Sequence, residues 1–152
     1  MRRNPYNTCG TCGNNTIVDA GPAPYAVNVA QVAKQNQAFR RTIWTGCHLQ
    51  MTVMCIPVGG EIGAEIHMDT DQYIRVEEGI AIAKVGTGRD RMERLQMQQC
   101  LQTGEAVFIP AGTWHNIINM GREPLKLSSV YAPPQPPHGT VHLTKQDAEK
   151  AY

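Results

Sequence analysis

From residue 40 to residue 131 the chain is a succession of short segments rich in β-branched, aliphatic and aromatic residues, each closed by a turn signal. Residues 42–56 are dense in Ile, Trp, Thr, Val and Met and break at Thr45-Gly46, which predicts two strands or one bent strand. Residues 62–67 run into Asp-Thr-Asp, and residues 73–76 into Glu-Glu-Gly. Residues 80–85 end in Gly-Thr-Gly-Arg-Asp, a hairpin signal. Residues 91–97 fit helix and strand equally, while 106–109, 114–118 and 125–131 complete the series. Strands at such short, regular spacing predict an all-β sandwich or barrel, not alternating βαβ units.

The flanks have a different texture. Residues 1–24 are rich in Asn, Gly, Thr and Pro and read as a flexible N-terminal arm. Residues 26–37 allow a short strand and then a helical turn or two through Val27, Val29 and Val32. The run Ala132-Pro-Pro-Gln-Pro-Pro-His138-Gly cannot lie in a central strand and is expected to cross the surface as an extended strap. Thr144 is placed to cap a last helical turn, with Asp147 inside it. The chain therefore divides into an arm (1–24), a barrel (25–132), and a proline-rich strap with a short helix (133–152).

Composition narrows the function. Fourteen basic against thirteen acidic residues leave a net charge of +1, with no basic field to draw nucleic acid or an anionic membrane. No apolar run approaches a membrane span, and Met-Arg-Arg-Asn-Pro lacks the apolar stretch of a secretory signal. The expectation is a soluble cytoplasmic protein that acts on a small molecule. Five cysteines, an odd and scattered set, do not make a disulfide framework. Cys9 and Cys12 form a lone C-x-x-C, a weak zinc or redox signal without a second pair.

Two stretches carry the candidate chemistry. In the first, Glu65 and His67 stand two apart in an extended segment, so both side chains face one way. A turn at Asp69-Thr70-Asp71 returns the chain beside them and brings Gln72 or Asp71 across from the pair. In the second, Pro110 and Gly112 bend the chain and deliver His115 at the start of a strand. Carboxylate, imidazole and amide oxygen converging from three strands suit a divalent metal with an open position.

The second stretch matches the second motif of the cupin superfamily through Gly104, Pro110, Gly112, His115 and Asn119. The first resembles the first cupin motif, with Gly59 or Gly60 at its opening, His67 at the second histidine and Gly79 at its close. It departs from that motif in placing Glu65 at the first histidine and Gln72 at the glutamate. The wording around the site also resembles small single-domain bacterial cupins, often described as relatives of mannose-6-phosphate isomerase. The resemblance implies a double-stranded β-helix, or jelly-roll barrel, with short extensions at both ends.

It also implies metal ligands Glu65, His67, Gln72 and His115, with Asp71 as the alternative to Gln72. One negative charge remains in the set, as in the usual site of three histidines and one glutamate. The added oxygen donor favours Fe, Mn or Zn over copper. Phosphomannose isomerases of the cupin type hold zinc with the same residue types, Glu and Gln exchanged. The implied function is metal-dependent chemistry of isomerase or dioxygenase type on a small polar molecule, with Glu65 as a catalytic general base. The alternative is a binding or sensing cupin that does not turn its ligand over.

Several other residues need placing. His48 and Gln50 share a parity and face either the pocket or solvent. Arg75, opposite in parity to Gln72, is expected to pair with Glu77 or a partner subunit. Trp114 and Phe108 are expected to supply apolar wall, and the Met51–Met54 region core packing. His138 and His142 either close over the barrel mouth or lie in a solvated tail. An exposed face near Trp44, Met51 and Val53 is consistent with a homodimer.

Overall fold

A computed structural model describes residues 17–87 and 94–151. Cys9, Cys12 and most of the N-terminal arm lie outside the described residues, as does most of the Gly-Thr-Gly-Arg-Asp turn.

The β series folds as the alternation requires. Strands β1 (Arg40–Thr45), β2 (Gln50–Ile56), β3 (Asp71–Glu78), β4 (Ala81–Thr87), β5 (Arg94–Leu101), β6 (Ala106–Ile109), β7 (Trp114–Asn119) and β8 (Leu125–Ala132) are followed by a short β9 (Val141–His142). They form a six-stranded sheet, β6-β3-β8-β2-β1-β9, and a three-stranded sheet, β5-β4-β7. All pairings are antiparallel. The two sheets enclose one apolar core, as a jelly roll does.

One expected strand is absent. Residues 61–67 form no continuous ladder with β7 and make two isolated bridges to it, Glu61 to Ile118 and Glu65 to His115. Gly63 lies between them at φ +97°, a left-handed turn that takes the intervening residues out of the ladder. The expected strand before the first helix is also missing, and α1 (Val29–Gln35) begins directly after the capping side chain of Asn28.

Helix α1 covers part of the large sheet's outer face. Its Ala33 packs with Ile43 and Val53 in a second small core, flanked by Ile17, Val32 and Met51. Val53 is fully buried there, so it is not part of an exposed face. Residues 17–24, placed by the sequence in a loose arm, run along β1. Ala20 N donates to Ile43 O, and the Asp19 carboxylate accepts from Thr45 N and Oγ1 and from Gly139 N.

The strap is fastened from within the barrel. Gln50 is buried, and its amide donates to Pro136 O (2.6 Å) and accepts from Gln135 N (3.0 Å). His48 is exposed in the β1–β2 turn and does not share the role of Gln50. The chain then adds β9 to β1 and ends in α2 (Lys145–Lys150), where Thr144 and Asp147 form a capping box.

Candidate metal centre

The two motif stretches are stitched together by backbone. Glu65 N donates to His115 O and His115 N to Glu65 O, both at 2.9 Å, while Gly112 N donates to His67 O at 2.8 Å. Gly112 sits at φ +74°, a left-handed conformation that glycine adopts without strain. This ladder holds Glu65, His67 and His115 side by side although fifty residues separate the first from the last. Their ligand atoms all lie within 4.8 Å of one another. The His67 and His115 rings are 5.4 Å apart at their centroids, and Tyr131 meets His67 edge-on at 5.5 Å.

Each donor is oriented by a neighbour. The Nδ1 of buried His115 lies 3.0 Å from Thr113 O; a carbonyl only accepts, so Nδ1 carries the proton and Nε2 keeps its lone pair. The Nε2 atoms of both His67 and His115 are buried with no hydrogen-bond partner in the protein. Glu65 Oε1 accepts from Arg40 Nη2 at 3.0 Å, and Oε2 lies 3.6 Å from His67 Nε2. Burial would raise the Glu65 carboxyl, but His67 and Arg40 outweigh it and hold its pKa at about 2. Burial lowers His115, which favours the neutral imidazole a metal requires.

Gln72 and Asp71 point in opposite directions. Gln72 is registered with Tyr131 and shares its inward face. Its Nε2 donates to Ser129 Oγ at 2.9 Å, and its Oε1, the metal-binding end of an amide, has no partner. Asp71 is exposed and accepts from Ala111 N at 2.9 Å on the outer side.

The cavity beside the cluster has a volume of about 370 Å³, and Arg40, Trp114, Tyr131 and Pro136 help to line it. Trp114 is therefore wall, as expected. Phe108 is not: it is 76% exposed on the outer face, against Tyr73 at 5.0 Å. Its neighbours Val107 and Ile109 take the inward positions. Arg75 pairs with Glu77, through Nη1 to both carboxylate oxygens. Met54 is core, whereas Met51 lies beneath α1. His138 is held on the outside by Gly21 O, at 2.8 Å, and by Asp19. His142 sits in β9, registered with Arg40. The mouth is bordered instead by Gln135 and Pro136 of the strap.

Sequence reasoning missed Arg40. An arginine opening a strand reads as solvated, yet this side chain is only 4% exposed. The available signal was parity, since Arg40 and Thr42 share the inward face of β1 opposite Met54 and Thr52. Its presence also changes the charge balance, because Glu65 is neutralised before any metal is counted.

An antiparallel double-stranded β-helix with a histidine–carboxylate cluster at one end of its interior defines the cupin class. The family model for the cupin domain matches residues 52–131, and the chain belongs to that family. It is 48% identical to YrkC of Bacillus subtilis (strain 168) over 138 residues, covering 91% of this chain and 73% of YrkC. It is 38% identical to L612 of Acanthamoeba polyphaga mimivirus over 122 residues, 80% of this chain and 72% of L612. Among solved structures, BH2720 from Bacillus halodurans superposes with a TM-score of 0.84 at 51% identity, covering 88% of this chain and 99% of that one. No helix among the described residues is long and apolar enough to cross a membrane.

Proposed function

We propose that Glu65, His67 and His115, with Gln72 as fourth ligand, hold one divalent ion (Fe, Mn or Zn) and act on a small polar molecule. One observation carries this reading: two buried imidazole nitrogens and a carboxylate oxygen converge, and neither nitrogen has a hydrogen-bond partner, His67 Nε2 standing 3.6 Å from Glu65 Oε2. Buried polar atoms almost always have partners, so two such nitrogens beside a carboxylate call for a shared one. The donor set, with two imidazoles and two oxygens, also fits these metals. When bound, such an ion acts as a Lewis acid toward oxygens of the substrate.

The protein's own groups have separate tasks. Arg40 and Thr113 fix the rotamer of Glu65 and the tautomer of His115. Ser129 Oγ accepts from the Gln72 amide nitrogen, which leaves the amide oxygen unpartnered and available to a ligand. Trp114, Tyr131 and Pro136 exclude water around the substrate. Glu65, ionised down to a pKa of about 2, is suited to ligation; the general-base role expected for it would first require its Arg40 contact to break. The choice between isomerase and dioxygenase chemistry, and the likeness to mannose-6-phosphate isomerase, rest on residue types alone.

The proposal is tested by elemental analysis of protein purified without chelator or nickel resin. Wild type is expected to carry close to one equivalent of iron, manganese or zinc, and Glu65→Ala and His115→Ala little. A folded wild type that stays metal-free with all three ions in excess would refute it. A homodimer, if formed, would use the outer face around Tyr73 and Phe108, because Val53 is covered by α1.

A further inference from the structure

Metal loading leaves this cavity with a charge that the protein does not compensate. Arg40 and Glu65 line it and cancel each other across 3.0 Å, and no other lysine, arginine, aspartate or glutamate among the described residues lines it. Asp71, the acidic alternative to Gln72, is turned outward and bonded to Ala111 N. Glu61 faces Lys145 at the surface. With neutral His67 and His115 as ligands, a divalent ion therefore raises the net charge of the cavity to that of the ion itself. In a site with the same ligands but no arginine, the carboxylate would offset part of that charge.

Uncompensated charge in a half-enclosed cavity carries a cost, and an anion entering beside the ion relieves it. Arg40 offsets the charge of Glu65 at the cavity wall, so an entering anion meets the full charge of the ion. A cavity of about 370 Å³ lies at the small end of small-molecule sites, and its wall of Trp114, Ile66 and Pro136 leaves room for a short carbon chain. Building on the metal reading above, we infer that Arg40 sets the specificity of this site for small carboxylates that offer a second, adjacent oxygen to the ion, such as 2-oxo or 2-hydroxy acids. Neutral polyols and sugars are disfavoured. Arg40 is a specificity residue here, and the same contact that orients Glu65 cancels its charge.

The test is calorimetric binding to zinc-loaded protein of pyruvate and of hydroxyacetone, a neutral molecule of similar size and shape. Zinc stoichiometry is measured on the same samples. Wild type is expected to bind pyruvate at least about tenfold more tightly than hydroxyacetone. In zinc-free wild type, where Arg40 and Glu65 cancel, the preference should fall to about twofold or less. Arg40→Gln should weaken pyruvate about tenfold and leave hydroxyacetone nearly unchanged, while Arg40→Lys retains most of the preference. If Arg40→Gln does not fold, the zinc dependence in wild type and the Arg40→Lys result still decide the matter. Zinc uptake without a preference for pyruvate overturns this inference alone. Failure to take up zinc, iron or manganese with each in excess overturns the metal reading and this inference with it.

Discussion

The two halves of the barrel interior are built on the same strands yet follow opposite rules. In one half, Met54 and Ile56 of β2, Ile74 and Val76 of β3, and Leu125 and Leu127 of β8 fill the space with carbon. One step along each strand the inward positions become Gln50 and Thr52, Gln72, and Ser129 and Tyr131. β7 makes the same change from Ile117 to His115, and β1 contributes Arg40 and Thr42. Two of these polar groups, Thr52 Oγ1 and Gln72 Oε1, have no hydrogen-bond partner in the protein although they are buried. The apolar half holds the fold together, and the polar half leaves stability unrealised, which the proposed function explains as donors kept for a ligand.

Substitutions should therefore separate the halves. Leu127→Ala, at a fully buried apolar position, is expected to cost about 2–5 kcal/mol in chemical denaturation and to leave metal stoichiometry intact. Loss of metal in that variant, while it remains folded, would show that the halves are coupled.

Acid should act through the polar half. Glu65 titrates at about 2 in the folded protein against 4.5 ordinarily, so its contribution is complete above 4.5 and lost as pH falls toward 2. His115, lowered mainly by burial, has the same sign: its contribution is complete above 6.5 and declines below it. Metal-free protein should accordingly lose thermal stability in two stages on acidification. A flat profile between pH 7.5 and 5 would contradict the placement of His115.

Ser129→Ala removes the acceptor of the Gln72 amide nitrogen, and is expected to weaken zinc binding about tenfold with little change in folding. Unchanged zinc affinity would remove Gln72 from the ligand set. The smallest effect belongs to Thr52→Val. Its hydroxyl is fully buried and unpartnered, so an apolar group of the same shape should change stability by less than about 1 kcal/mol, with stabilisation the expected direction. A loss of about 2 kcal/mol or more would mean that the hydroxyl is satisfied within the fold.

Strand periodicity and turn chemistry made most of the barrel legible, because alternation and turn residues act locally. The capping box at Thr144 was readable for the same reason. His67 and His115 stood out through the glycines and proline that bend the chain around them. What escaped depends on contacts distant in sequence. Gly63 breaks the ladder expected over residues 62–67, and no local pattern reveals that α1 lies over Val53. Phe108 looked like wall because aromatic residues usually are, but one position of parity places it outside. Arg40 escaped because its burial is intelligible only once Glu65, twenty-five residues on, is known to face it.

The central claim concerns three side chains around one ion, and X-ray absorption spectroscopy on zinc-loaded protein addresses it most directly. Two imidazole nitrogens at about 2.0–2.1 Å, with oxygen completing the shell, are expected, and His115→Ala should remove one imidazole or the metal altogether. A zinc environment without imidazole, or one that His115→Ala leaves unchanged, would contradict it.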